Sequence, residues 1–177
     1  MIGLDISHNA LKKAVVRFPQ RLFCLASGEA VPLQANTIDK VVSNVALPYM
    51  RMPITLGEVR RVLRPGGYFI ASLHPWTFTV HELLTGAFPN PKATLYRLYV
   101  IVNGLLLHLF SRSFGESFQT KRGIGRALKK SGFSDVQFFY AGQDKRWFVK
   151  ASANHSSAEF SSPVTDSEVK EPYSLSA

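Results

Sequence analysis

Short apolar runs and helically spaced apolar positions take turns along the first 73 residues. Ile2 to Asp5 is a brief apolar run that ends on an acid. From Ser7 the period changes: Leu11, Ala14, Val15 and Phe18 recur at spacings of three and four, which predicts a helix with Ser7 placed as its cap and Pro19 as its stop. Arg21 to Ala26 is apolar again and bends at Ser27-Gly28. Lys40 to Ala46 carries valines side by side and not in alternation, the pattern of a parallel strand covered on both faces. Leu56, Val59 and Leu63 then form one stripe of a helix whose other faces carry Arg60, Arg61 and Arg64. Pro65-Gly66-Gly67 is expected to stop that helix, with a glycine in the left-handed conformation just past its end, and Tyr68 to Leu73 reads as the next strand.

The rhythm breaks between His74 and Gln119, where aromatic residues and an apolar helix candidate, Ala93 to Phe110, form an insert. It resumes with a helix over Lys121 to Ser131 closed by Gly132, followed by Phe133 to Ala141 and Arg146 to Ala151, an antiparallel pair across Gly142-Gln143-Asp144. Strands alternating with helices through short connections predict an α/β fold, Rossmann-like and doubly wound, with a mostly parallel sheet and a C-terminal antiparallel hairpin. One domain is expected over residues 1–153, with the insert at about 75–119. Residues 154–177 are Ser, Glu, Pro and Thr with few large apolar side chains, so burial cannot offset their ordering entropy and a disordered tail is expected.

Three segments in this frame carry a family likeness. Ser27-Gly28-Glu29-Ala30-Val31-Pro32-Leu33, Ile38-Asp39-Lys40-Val41-Val42-Ser43-Asn44, and Glu58-Val59-Arg60-Arg61-Val62-Leu63-Arg64-Pro65-Gly66-Gly67-Tyr68-Phe69-Ile70 stand in that order, each at a strand or helix end. The series resembles the class I S-adenosylmethionine-dependent methyltransferases of the small-molecule and lipid-quinone type. The likeness is strong over about residues 2–75 and weaker over 121–151. It implies S-adenosylmethionine as cofactor and methyl transfer to a small acceptor as the reaction.

The resemblance places Asp5 where an acidic residue accepts hydrogen bonds from the ribose hydroxyls of the cofactor. A helix cap is the other role open to Asp5, and Ser7 fills that role better. Ser27 and Gly28 take the place of an Asp-Ala pair that contacts adenine. Serine there offers a neutral acceptor where the family has a charged one, and a plain turn is the competing reading. Asn44 matches a position lining the methionine half of the cofactor, and it stands at the carboxyl end of a strand, where ligands of open α/β sheets bind. Asp39, at the other end of that strand, reads as structural. His74 follows the next strand at the acceptor edge and is the candidate catalytic base, against the commoner role of a local structural hydrogen bond. Leu95, Tyr96, Tyr99, Val100, Leu105, Leu106, Leu107 and Phe110 would form an apolar lid over a hydrophobic acceptor, or else pack into the core or a dimer face.

Composition narrows the picture. With 177 residues, 46% of them hydrophobic, the chain can bury one ordinary core. Its single cysteine, Cys24, excludes a disulfide framework and fits a reducing cytoplasm. Leu95 to Phe110 falls short of the roughly 20 residues that span a bilayer, which leaves peripheral membrane contact open. Net charge is +9. Residues 154–177 hold one lysine and four acids, so the remainder stands at +12. Such a body could meet nucleic acid, anionic lipid or phosphorylated substrates, or serve only as a soluble surface. Nucleic acid is disfavoured because the insert offers only Lys92, Arg97 and Arg112 as fixed cations.

The family's first strand and glycine-rich turn, which would precede Ile2, have no counterpart in this sequence. The sheet is therefore expected to lack its central strand, and methyl transfer by the chain alone to be impaired. Two other readings compete: a non-enzymatic, basic partner-binding module, and a nicotinamide-dependent oxidoreductase, with which Asp5 alone is compatible.

Overall fold

The computed structural model describes residues 1–73, 91–141 and 146–153. Strand β1 (Ile2–Asp5) leads into helix α1 (His8–Arg17), then β2 (Leu22–Leu25) and β3 (Ile38–Ser43). A single 3-10 turn (Leu47–Tyr49) precedes α2 (Met52–Val62), and β4 (Leu63–Leu73) follows it directly. Helices α3 (Pro91–Phe110) and α4 (Lys121–Lys130) come next, then β5 (Ser134–Ala141) and β6 (Arg146–Ser152). The expected α/β alternation is present. His74, the turn at 142–145 and the tail at 154–177 lie outside the described residues.

The caps explain several boundaries. The Ser7 hydroxyl accepts from the Ala10 amide at 3.2 Å, and Thr120 caps α4 by accepting from Gly123 at 3.0 Å. Gly132, at φ 82°, closes α4 in the left-handed conformation, as its position predicts. Helix α2 ends differently from expectation. It stops at Val62, and Leu63 already belongs to β4, so Pro65-Gly66-Gly67 lies inside a strand and not past a helix end. There the register jumps from Ile38↔Leu63 to Lys40↔Tyr68, leaving the intervening residues of β4 looped out as a bulge. Gly67 is required at this point: a Cβ on it would sit 2.9 Å from the Asp39 carbonyl oxygen and 3.0 Å from that of Arg64.

The strands form two sheets. β1 and β2 pair in parallel as one, and β3-β4-β6-β5 form the other, with β3 and β4 parallel and β6 antiparallel to both β4 and β5. Among the described residues nothing pairs with the second edge of β1 or of β3, the two edges between which the family likeness puts a central strand. The core lies on the larger sheet. Leu47, Met52, Leu56, Leu63, Phe69, Leu107, Ile124, Leu128 and Val149 are buried there, joining α2, α3 and α4 to β4 and β6. The smaller sheet is covered more thinly: Leu11 is the one buried residue of α1, while Leu22, Leu25 and Val16 are exposed. Cys24 is half-buried and unbonded.

Candidate active site

Two pairs of parallel strands, β1 with β2 and β3 with β4, lead to the residues singled out in the sequence. Asp5 closes β1 and is exposed; its Oδ1 accepts from the Ser7 amide at 2.7 Å, and its second carboxylate oxygen has no donor among the described residues. A carboxylate half-engaged in this way is oriented by the chain yet still offers an acceptor for hydroxyl groups.

The stretch after β2 folds as a tight turn. Ser27 Oγ accepts from the Glu29 amide at 3.1 Å, so the hydroxyl closes its own loop and only its remaining capacity faces outward. Gly28 packs against Met50, whose sulfur would lie 2.9 Å from a Cβ at that position. Next to it, Glu29 accepts from the Arg51 amide and from Arg51 Nε, each at 2.7 Å. Those hydrogen bonds with Arg51 hold the Glu29 carboxyl below its ordinary pKa. The loop after β2 is thereby fastened to the chain that follows β3.

A second clamp reinforces the junction. Glu58 accepts from the Val31 amide at 2.9 Å and from Arg61 at 2.7 and 2.8 Å, and Arg61 donates onward to the carbonyls of Leu33 and Val31, both at 2.8 Å. The Arg61 guanidinium, and secondarily the Val31 amide, outweigh partial burial and pull the Glu58 carboxyl down to about 2.

At the end of β3 the structure assembles a group that sequence reasoning recognised only in part. Ser72, buried on β4, accepts from the Val45 amide at 2.6 Å and donates to Asn44 Oδ1 at 3.1 Å. Val45 stands at φ 57°, an outlier for a β-branched residue, and the Ser72 hydroxyl is what holds its amide there. Asn44 is thus exposed at the carboxyl edge with its amide nitrogen unbonded among the described residues. Ser72 was missed, although a lone hydroxyl in the apolar run Phe69-Ile70-Ala71-Ser72-Leu73 is a signal, since a buried hydroxyl needs a partner. Asp39, at the opposite end, pairs with Arg64 at 2.6 Å on the surface, a structural contact.

The insert reaches this edge. The Ser117 amide donates to the Pro48 carbonyl at 3.1 Å and the Met52 amide to Ser113 Oγ at 3.3 Å, while Asn103 on α3 binds the Glu116 carbonyl and the Phe114 amide. Segment 111–119 is therefore strapped both to α3 and to the chain after β3. The eight residues proposed as a lid divide. Val100 and Leu107 are buried against the body, Leu106 is half-buried, and Leu95, Tyr96, Tyr99, Leu105 and Phe110 are exposed. No group of three metal-binding side chains occurs among the described residues.

The types present suit the cofactor of the resembling family. An exposed carboxylate after β1 and an exposed amide nitrogen after β3, each at a strand's carboxyl end, are an acceptor and a donor suited to a ribose and an amino-acid moiety. Ser27 is a weaker match, because its hydroxyl is already engaged.

Comparison with known proteins finds methyltransferases. Residues 1–71 match the family described as Methyltransferase domain. An uncharacterized methyltransferase of Mycobacteroides abscessus is 37% identical over 82 residues, 44% of this chain and 32% of that protein. The mitochondrial arginine-hydroxylase NDUFAF5 of Mus musculus is 34% identical over 70 residues, 39% of this chain and 20% of its own. The chain thus spans a third or less of these relatives' length. A SAM-dependent methyltransferase of Thermotoga maritima, of solved structure, superposes with a TM-score of 0.59 at 16% identity, covering 86% of this chain and 72% of that one. Over residues 1–71 the chain is thus similar to methyltransferase domains, and its fold is the Rossmann-like α/β fold seen in S-adenosylmethionine-dependent methyltransferases of solved structure.

Proposed function

We propose that this protein transfers a methyl group from S-adenosylmethionine to a small hydrophobic acceptor. The observation that carries the reading is that Asp5, the Ser27-Gly28 turn and Asn44 each follow the carboxyl end of a parallel-paired strand, β1, β2 and β3, with the loop after β2 fastened through Glu29 to Arg51 and α3 strapped to the chain after β3. When bound, the cofactor supplies an electrophilic methyl group on a sulfonium centre. The chain's own task is then chiefly alignment and exclusion of water. Asp5 would accept from ribose hydroxyls, Asn44 would donate to the amino-acid portion with Ser72 fixing its carbonyl, and α3 would shield an apolar acceptor. His74 remains the candidate for removing an acceptor proton, where one must leave.

Calorimetric titration with S-adenosylhomocysteine and with NAD tests the assignment. Binding of the first and not the second is expected, with Asp5→Ala lowering affinity about tenfold or more, as loss of hydrogen bonds to a charged group does. Tight NAD binding, or an unchanged affinity in Asp5→Ala, would overturn it. One relative is named as a hydroxylase, so product mass adds a second readout: gain of a methyl group supports the proposal, and gain of an oxygen atom refutes it.

A further inference from the structure

Helix α3 is apolar on two opposite sides. Val100, Asn103, Gly104 and Leu107 face the body and are buried. On the far side Leu95, Leu98, Val102, Leu105 and Leu109 follow one another at spacings of three and four, and all five are 48% to 70% exposed. At 1.5 Å per residue this aliphatic stripe is about 21 Å long. A stripe of that length in water calls for a partner. No helix among the described residues is long and apolar enough to cross a membrane.

Charge identifies the partner. Residues 91–130, which make up α3, the strap and α4, hold eight of the chain's 21 lysines and arginines and one acid, Glu116, a net charge of +7. At the end of the stripe, Leu106, Leu109, Phe110 and Phe114 line a cavity of about 420 Å³ together with Arg112 and Lys130. Lys130 Nζ donates to the Phe110 carbonyl at 3.3 Å, which keeps a cation at the border of the apolar surface.

Two occupants suit a leucine stripe with three-four spacing: a second copy of the same helix, or a lipid surface. A second copy would bring two strongly cationic stretches together, and the flanking residues Tyr99, Ile101, Leu106 and His108 supply no complementary charge pairs. An anionic bilayer meets both requirements, taking the aliphatic side chains at the headgroup boundary and the cations at its phosphates. We propose that α3, with Arg112 and Lys130, docks the protein on anionic lipid surfaces. The inference does not depend on the identity of the methyl acceptor.

Flotation of the full chain with vesicles tests it, comparing phosphatidylcholine alone with phosphatidylcholine plus phosphatidylglycerol. Binding to the mixed vesicles is expected, weakening as salt is raised. Arg112→Gln with Lys130→Gln should reduce it about tenfold or more, at about one factor of five per cation. Leu105→Ser with Leu109→Ser should abolish flotation while leaving the circular dichroism unchanged, because both side chains are exposed. Equal binding to the two vesicle types would overturn the proposal, as would wild-type flotation of the serine variant. So would a dimer in sedimentation that the serine variant converts to monomer while the wild type ignores vesicles, which would assign the stripe to a second copy.

Discussion

Replacing Glu58 by Gln removes the charge at the centre of the clamp between α2 and the chain that follows β2. In the folded protein the carboxyl lies near pKa 2 against an ordinary value of 4.5, with Arg61 as the main cause. Undamped, that difference corresponds to about 3 kcal/mol. The Glu58 side chain is 21% exposed and that of Arg61 37%, so water screens the pair and about 1–2 kcal/mol is the expected loss. The sign follows from the lowered pKa. The stabilisation is complete above the unfolded value of 4.5 and disappears as pH falls from there through about 2. Urea denaturation of wild type and Glu58→Gln should therefore show a gap at pH 7 that closes on acidification, with less than about half remaining at pH 3. Equal midpoints at pH 7 would mean that the clamp contributes nothing. A gap that stays constant down to pH 3 would mean that the cost comes from packing and not from charge.

Two glycines form a matched pair for a second prediction. Gly67→Ala drives a methyl group into three backbone carbonyls and should destabilise the protein by about 2–3 kcal/mol, whereas Gly57→Ala, in α2 with open space around it, should stabilise it by about 0.5–1 kcal/mol, both read from thermal or urea melts. The two sheets should also differ in amide exchange: a two-stranded sheet is marginal in water, so Leu4 and Cys24 should exchange at least about a hundredfold faster than Phe69, Val149 and Ala151. Equal protection would show that the small sheet is held by contacts stronger than those described.

Local patterns in the sequence were enough for most elements, because caps, periodicity and turn residues act over a few positions. Ser7 with Pro19 bounded α1, Gly132 closed α4, and the paired apolar runs near the C-terminus formed the hairpin. Strand ends and family spacing marked Asp5, Ser27, Gly28 and Asn44 as candidates, and the structure places Asp5 at the end of β1 and Asn44 just past β3. Other features needed the folded chain. The Leu63 to Gly67 stretch has helix-end chemistry and Gly66 does stand at φ 81°, yet the pairing of Leu63 and of Tyr68 onward with β3 turns the residues between them into a bulge of β4. Ser72 and Asn44 are 28 residues apart, and their hydrogen bond exists only because β4 lies beside β3. The same holds for Glu58 and Val31, and for the strap that carries Ser117 to Pro48. The apolar insert could be read from sequence as lid, core or interface. Only packing decided that Val100 and Leu107 belong to the core while the opposite stripe of α3 faces outward, because a helix that is apolar on all sides has no preferred face until a neighbour covers one.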